Sequence, residues 1–92
     1  YDFVIAPPAP VTAIPHSDVP VRERKVTING QERSFAEVFA WAGISTFPNL
    51  PSTVLPVGES DGLPTSVQVI GPRWSDLDCI AIAREMGAIL HR

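Results

Sequence analysis

Three residue types that cooperate in nucleophilic hydrolysis stand in a row at His16-Ser17-Asp18. A catalytic triad needs them converging from separate segments, with the imidazole between hydroxyl and carboxylate. Neighbours along one chain cannot point at one another in that way, so the tripeptide reads as polar loop. Lys25 is the only lysine, and it sits in the charge run Arg22-Glu23-Arg24-Lys25, where a solvated ammonium is the expected state. His91 lies at the end of a predicted helix, as a partner for its C-terminal dipole. Two distant histidines and the single Cys79 supply no converging set of metal ligands. Cys79 falls on or near the apolar side of that helix and reads as a small buried hydrophobe. Gln68 is a polar side chain in an otherwise apolar strand. Buried there without a partner it would cost about 1–3 kcal/mol, which predicts a tie to neighbouring backbone in preference to a substrate contact. The residues thus predict no catalytic group, metal or cofactor within the chain.

The elements that would position any site centre on two strand-like runs. Leu50-Pro51-Ser52-Thr53-Val54-Leu55-Pro56-Val57-Gly58 is followed by Gly62-Leu63-Pro64-Thr65-Ser66-Val67-Gln68-Val69-Ile70-Gly71, with Glu59-Ser60-Asp61-Gly62 as the turn. Asp-Gly suits positions that need φ > 0. Apolar residues scarcely alternate with polar ones, as in strands covered on both faces. Strands are expected at 53–57 and 66–71, adjacent in one sheet. Residues 2–6 read as a further strand. Prolines at 7, 8, 10, 15 and 20 exclude regular structure over 7–21. That stretch is an extended, ordered loop or a disordered one, and Val11, Ala13 and Ile14 offer apolar anchors for the former. Asn29-Gly30 marks a surface hairpin over 26–34.

Two helices complete the pattern. Ser34 with Glu37 is a capping box opening a helix over 35–47, in which Phe35, Val38, Phe39, Ala42 and Thr46 recur at helical spacing. Trp41 and Ile44 widen its apolar stripe, so it should be buried on more than one face. Pro48 and Pro51 end it. Ser75 with Asp78 opens a second helix over 76–90, packing through Leu77, Ile80, Ala81, Met86, Gly87 and Leu90, with Arg84, Glu85 and Arg92 outward. Asp76 and Asp78 near its start and Arg92 near its end suit the dipole.

Composition bounds the rest. Ninety-two residues allow one domain, burying roughly 60–65% of the unfolded surface. The net charge of −3 is small and mixed in sign, and no basic face supports nucleic acid as a partner. No apolar run reaches the ~18–20 residues that span a bilayer, and nothing at the start reads as a signal peptide. A cytoplasmic protein is expected. The chain opens on Tyr1 in what reads as a buried strand, so a piece of a larger body is expected. Open sheet edges would then invite association, including with a second copy.

The order L-P-x-T-x-x-P-x-G, then G-L-P-x-x-x-Q-x-x-G-P, then a long helix, resembles the C-terminal end of the amidase signature family of serine hydrolases. Phe39-Ala40-Trp41-Ala42-Gly43-Ile44 resembles that family's F-x-W-A-G helix. Lys25-Val26-Thr27-Ile28-Asn29-Gly30-Gln31 resembles the V-N-G hairpin of many bacterial amidases. Tyr1-Asp2-Phe3-Val4-Ile5-Ala6-Pro7 resembles its Y-D-x-x-x-x-P strand. The four pieces cover nearly the whole chain in the family's order. One departure is Ser66, at a position that is often glycine in the family.

The resemblance implies an α/β fold: the C-terminal portion of an α/β/α amidase-signature body with a mixed sheet, one β-hairpin and two main helices. It implies a parent that hydrolyses a small or aryl carboxamide to carboxylate and ammonia or amine. Family members use a Ser–Ser–Lys arrangement and a glycine- and serine-rich oxyanion loop. No such loop occurs here, so the segment alone is expected to be inactive, with the rest of the amidase domain as its partner. By position, Phe39, Ala40 and Gly43 would line the acyl pocket; plain core would give the same apolar pattern, and both remain open. The A subunit of a glutamyl-tRNA amidotransferase shares the family fold. The V-N-G hairpin favours the plain amidase over it. A non-catalytic interaction domain pairing through its sheet edges is the reading from another class.

Overall fold

The computed structural model describes residues 2–91; Tyr1 and Arg92, which carry part of the Y-D-x-x-x-x-P run and of the helix-dipole expectation, lie outside them. Among the described residues there are five strands: β1 (Val4–Ala6), β2 (Lys25–Ile28), β3 (Gln31–Ser34), β4 (Ser52–Ser60) and β5 (Leu63–Ile70). Two α-helices accompany them, α1 (Gly43–Thr46) and α2 (Asp76–Leu90), with 3-10 turns at Val21–Glu23 and Phe35–Phe39.

Both hairpins close on the dipeptides that permit positive φ. Asn29 and Gly30 lie at φ 52° and 79°, and Asp61 and Gly62 at 51° and 78°, the left-handed pair of a type I′ turn. The turn at Asp61-Gly62 makes β4 and β5 neighbours, with Thr53 opposite Val69 and Leu55 opposite Val67. A bulge between Pro56 and Gly58 shifts the register. β1 pairs antiparallel with β5, giving the strand order β1-β5-β4. β2 and β3 form a separate antiparallel pair. The body is therefore mixed α/β in content, with two antiparallel sheets and two hairpins where one hairpin and a mixed sheet were expected. Two-residue turns can only reverse a strand, and parallel pairing would require a long crossover between neighbours.

α2 lies over β4 and β5 on one face of the three-stranded sheet. Leu55, Val69 and Ala83 form the core cluster, flanked by Phe3, Val57, Val67, Ile82 and Met86. Val69 and Cys79 are wholly buried. The helix presents Cys79, Ile82, Ala83 and Met86 inward. The stripe expected from periodicity is therefore rotated: Leu77 is 81% exposed, and Ile80, Ala81 and Leu90 are also exposed. The helix is apolar nearly all round, so its pattern leaves the buried side open. Contact with the sheet chooses it. Ser75 holds the cap position, but its hydroxyl donates back to the Pro72 carbonyl instead of capping the helix.

The expected helix over 35–47 is not continuous. Phe35–Phe39 is 3-10, residues 40–42 form a turn, and only Gly43–Thr46 is α-helical. Ser34 does cap the start, accepting from the Ala36 N–H at 3.4 Å. Glu37 turns to Arg33 in a two-point ion pair at 2.7 and 2.8 Å. That hydrogen bond holds the Glu37 carboxyl below its ordinary pKa and raises Arg33. Aromatic and β-branched residues are weak helix formers, and so short a segment gains little from propagation. The Trp41 carbonyl is also claimed from outside, by Gln68. The segment ends in a Schellman motif. Asn49 takes φ 61°, its N–H reaches the Thr46 carbonyl at 3.2 Å, and the Leu50 N–H reaches the Ser45 carbonyl at 2.8 Å. Expected burial on several faces does not occur either: Phe39, Trp41 and Ile44 are all exposed.

Much apolar surface is thus uncovered. Val4 and Val54 stand out on the sheet, Leu77 and Ile80 on α2, and Phe47 and Trp74 are more than nine-tenths exposed. β1 and β4 are the sheet's edges among the described residues. Unpaired edge groups beside apolar patches template association. The 92-residue chain is therefore expected to elute above its monomer mass in size-exclusion chromatography with light scattering. A monodisperse monomer with a sharp cooperative melt would count against that expectation.

Candidate functional site

Gln68 organises a place where three distant segments meet around a buried polar group. It lies in the middle strand β5 and is 3% exposed. Its Nε2 donates to the Pro7 carbonyl and to the Trp41 carbonyl, both at 2.9 Å. One amide therefore ties the sheet to the start of the proline-rich stretch and to the aromatic segment. This is the backbone tie that its burial demanded. The Trp41 carbonyl also accepts from the Ile44 N–H at 3.3 Å, so it is shared between the local turn and the sheet.

Around this anchor stand the expected pocket residues. Phe39 ends the 3-10 turn and is 58% exposed, Ala40 is exposed, and Gly43 is half-buried at the start of α1. The Phe39 ring meets Phe35 edge-on at 5.8 Å, and the Arg24 guanidinium lies 5.1 Å over Phe35. A Cβ at Gly43 would come within 2.9–3.0 Å of the Phe47 ring. Phe47 is almost fully exposed and free to swing away, so the contact does not by itself forbid a side chain. Phe39, Ala40 and Gly43 thus form part of an open apolar surface held to the sheet through Trp41. It is neither a closed pocket nor a packed core within these residues.

The chemistry-bearing residues do not converge. The Ser17 Oγ accepts from the Val19 N–H at 3.1 Å in a local turn, and His16 and Asp18 are exposed beside it. Lys25 is exposed at the start of β2. Beyond a place at the end of α2, His91 has a contact that its sequence position did not foretell: its Nε2 lies 3.1 Å from the Pro56 carbonyl of β4. Cys79 is buried with its Sγ 3.9 Å from both the Ser75 Oγ and the Pro51 carbonyl. Among the described residues no group of His, Cys, Asp or Glu is placed to hold a metal ion. No helix among them is long and apolar enough to cross a membrane.

Two residues escaped the sequence reading. Trp74 is 93% exposed with φ 68°, a left-handed backbone that is rare for a bulky side chain. Phe47 is its counterpart on the aromatic segment. Pattern arguments assign large aromatics to a core, so neither position carried a signal of exposure. No protein-family model matches this chain, and no curated protein matches it.

Proposed function

We propose that this chain is the C-terminal segment of an amidase-signature hydrolase, supplying sheet and pocket wall to a body whose Ser–Ser–Lys groups lie elsewhere. The observation that carries the proposal is the tie from Gln68 to Trp41. It joins the G-L-P-x-x-x-Q strand to the F-x-W-A-G segment, bringing two of the motifs that carry the resemblance into contact across 27 positions of chain. The uncovered apolar side of α2 and the bare Phe39–Gly43 surface support it, since both suit a larger body packed against them. In this reading the parent cleaves a small carboxamide in the cytoplasm, and Phe39, Ala40 and Gly43 limit the room for its acyl group.

The test uses the complete enzyme that carries this segment. Gly43→Leu is expected to lower kcat/KM for a long acyl amide at least ~10-fold relative to a short one, since one methylene in an apolar pocket is worth roughly 1–3 kcal/mol. Phe39→Ala should relax selection against long acyl groups. Equal losses toward both amides, together with a lowered Tm, would assign both residues to structure. Failure of the complete protein to turn over any carboxamide would remove the amidase proposal itself.

A further inference from the structure

The proline-rich stretch 7–20 is a strap fixed near its two ends. Gln68 holds the Pro7 carbonyl at one end. At the other, Arg24 donates from Nε and Nη2 to the Val19 carbonyl at 3.1 and 2.7 Å, and from Nη2 to the Ser17 carbonyl at 3.0 Å. Between strap and β2 lies a groove of about 470 Å³. That volume is within the usual range for small-molecule sites. Its apolar wall includes Val11, Ile14 and Val26, and its polar groups include His16, Arg24 and Lys25.

Charge makes this groove unusual for the chain. The protein carries a net −3, yet no Asp or Glu lines the groove, while Arg24 and Lys25 both do. The Arg24 donors Nε and Nη2 are spent on the strap. Lys25 forms no ion pair among the described residues. An ammonium beside an aliphatic wall, without a competing carboxylate, selects an anion that carries an apolar body. An inorganic anion would leave the wall wet, and a neutral hydrocarbon would leave the ammonium unpartnered.

We propose that the groove between the strap and β2 binds a small carboxylic acid with an apolar body. Its carboxylate pairs with Lys25, and its body lies against Val11, Ile14 and Val26. The proposal is independent of the amidase reading, because none of these residues belongs to the candidate pocket wall.

Isothermal titration of the full chain with 4-phenylbutyrate and with 4-phenylbutan-1-ol is the test. The carboxylate is expected to bind at least about 10-fold more tightly than the alcohol, and to weaken as salt rises. Lys25→Glu should cut carboxylate affinity by a further ~10-fold or more while leaving the alcohol unchanged, and Lys25→Arg should retain it. Ala13→Trp, at an exposed position on the groove wall, should weaken both probes by filling the groove. Circular dichroism of each variant confirms its fold. Equal affinity for the two probes, binding indifferent to both Lys25→Glu and Ala13→Trp, or no saturable binding of the carboxylate at millimolar concentration would each overturn the proposal.

Discussion

Gln68→Leu should be among the most damaging single substitutions in this chain. The leucine fits an apolar strand by size and type. It leaves the Pro7 and Trp41 carbonyls without the donor that reaches each at 2.9 Å. Together the two lost bonds cost about 1–3 kcal/mol, since the Trp41 carbonyl keeps the Ile44 N–H and Pro7 is open to water. A loss of about 3 kcal/mol corresponds to a fall in Tm on the order of 15 °C for a domain of this size. The damage should also be directional. With the tie to Trp41 gone, the aromatic segment loses its anchor to the sheet, and proteolysis should accelerate across residues 35–50 before it does within β4 or β5. Gln68→Glu is the sharper control, because it keeps the shape but offers an acceptor to two acceptors. Thermal denaturation with limited proteolysis of the three proteins checks this. A Gln68→Leu protein that melts within ~2 °C of the parent would show that the amide is dispensable.

Gly71→Ala should match it by the opposite mechanism, overpacking in place of a lost bond. Gly71 is buried where β5 leaves the sheet, and its N–H donates to the Pro51 carbonyl at 3.1 Å. A Cβ there would stand 2.7 Å from the Cys79 Sγ and 2.9 Å from the Phe3 ring, and the Ser75 Oγ is closer still. Cys79 is wholly buried and Ser75 nearly so, which leaves no flexible end to swing aside. Overpacking of this kind costs typically 1–3 kcal/mol. Because two of the obstructing atoms are side-chain ends, Cys79→Ala and Ser75→Gly should each recover part of the loss in a double-mutant cycle. Additive losses in that cycle would mean that the glycine is required for some other reason. The Gly43 position contrasts with it: the same measure gives a near contact there, but against an exposed ring that can move.

The sequence by itself determined what rests on neighbouring residues. Asn29-Gly30 and Asp61-Gly62 are turns because few other dipeptides tolerate two positive φ values in succession, and that constraint is local. The pairing of β4 with β5 follows from the second turn and the apolar runs on either side. The extent of α2, Asp76–Leu90, follows from the start signal at Ser75 and the acidic first turn, with no proline among its fifteen residues. Burial of Gln68 in an apolar strand required a backbone partner, although no local rule named Pro7 or Trp41.

Tertiary structure alone decided the rest. Which side of α2 faces inward was undetermined while nearly every side was apolar. Contact with β4 and β5 chose Cys79, Ile82, Ala83 and Met86 and left Leu77 and Ile80 bare. Helical spacing over 35–47 was genuine, yet weak helix formers and a competing donor on the Trp41 carbonyl divided the segment into a 3-10 turn and one turn of α-helix. The candidate wall of Phe39, Ala40 and Gly43 was legible as an apolar pattern. Its exposure was not, because periodicity records which residues prefer to leave water and not whether anything arrives to cover them. The groove beneath the strap was invisible for a related reason. It joins residues 11–17 to residues 24–27 across a gap that only the fold creates, held open by an arginine whose contacts lie five and seven positions away.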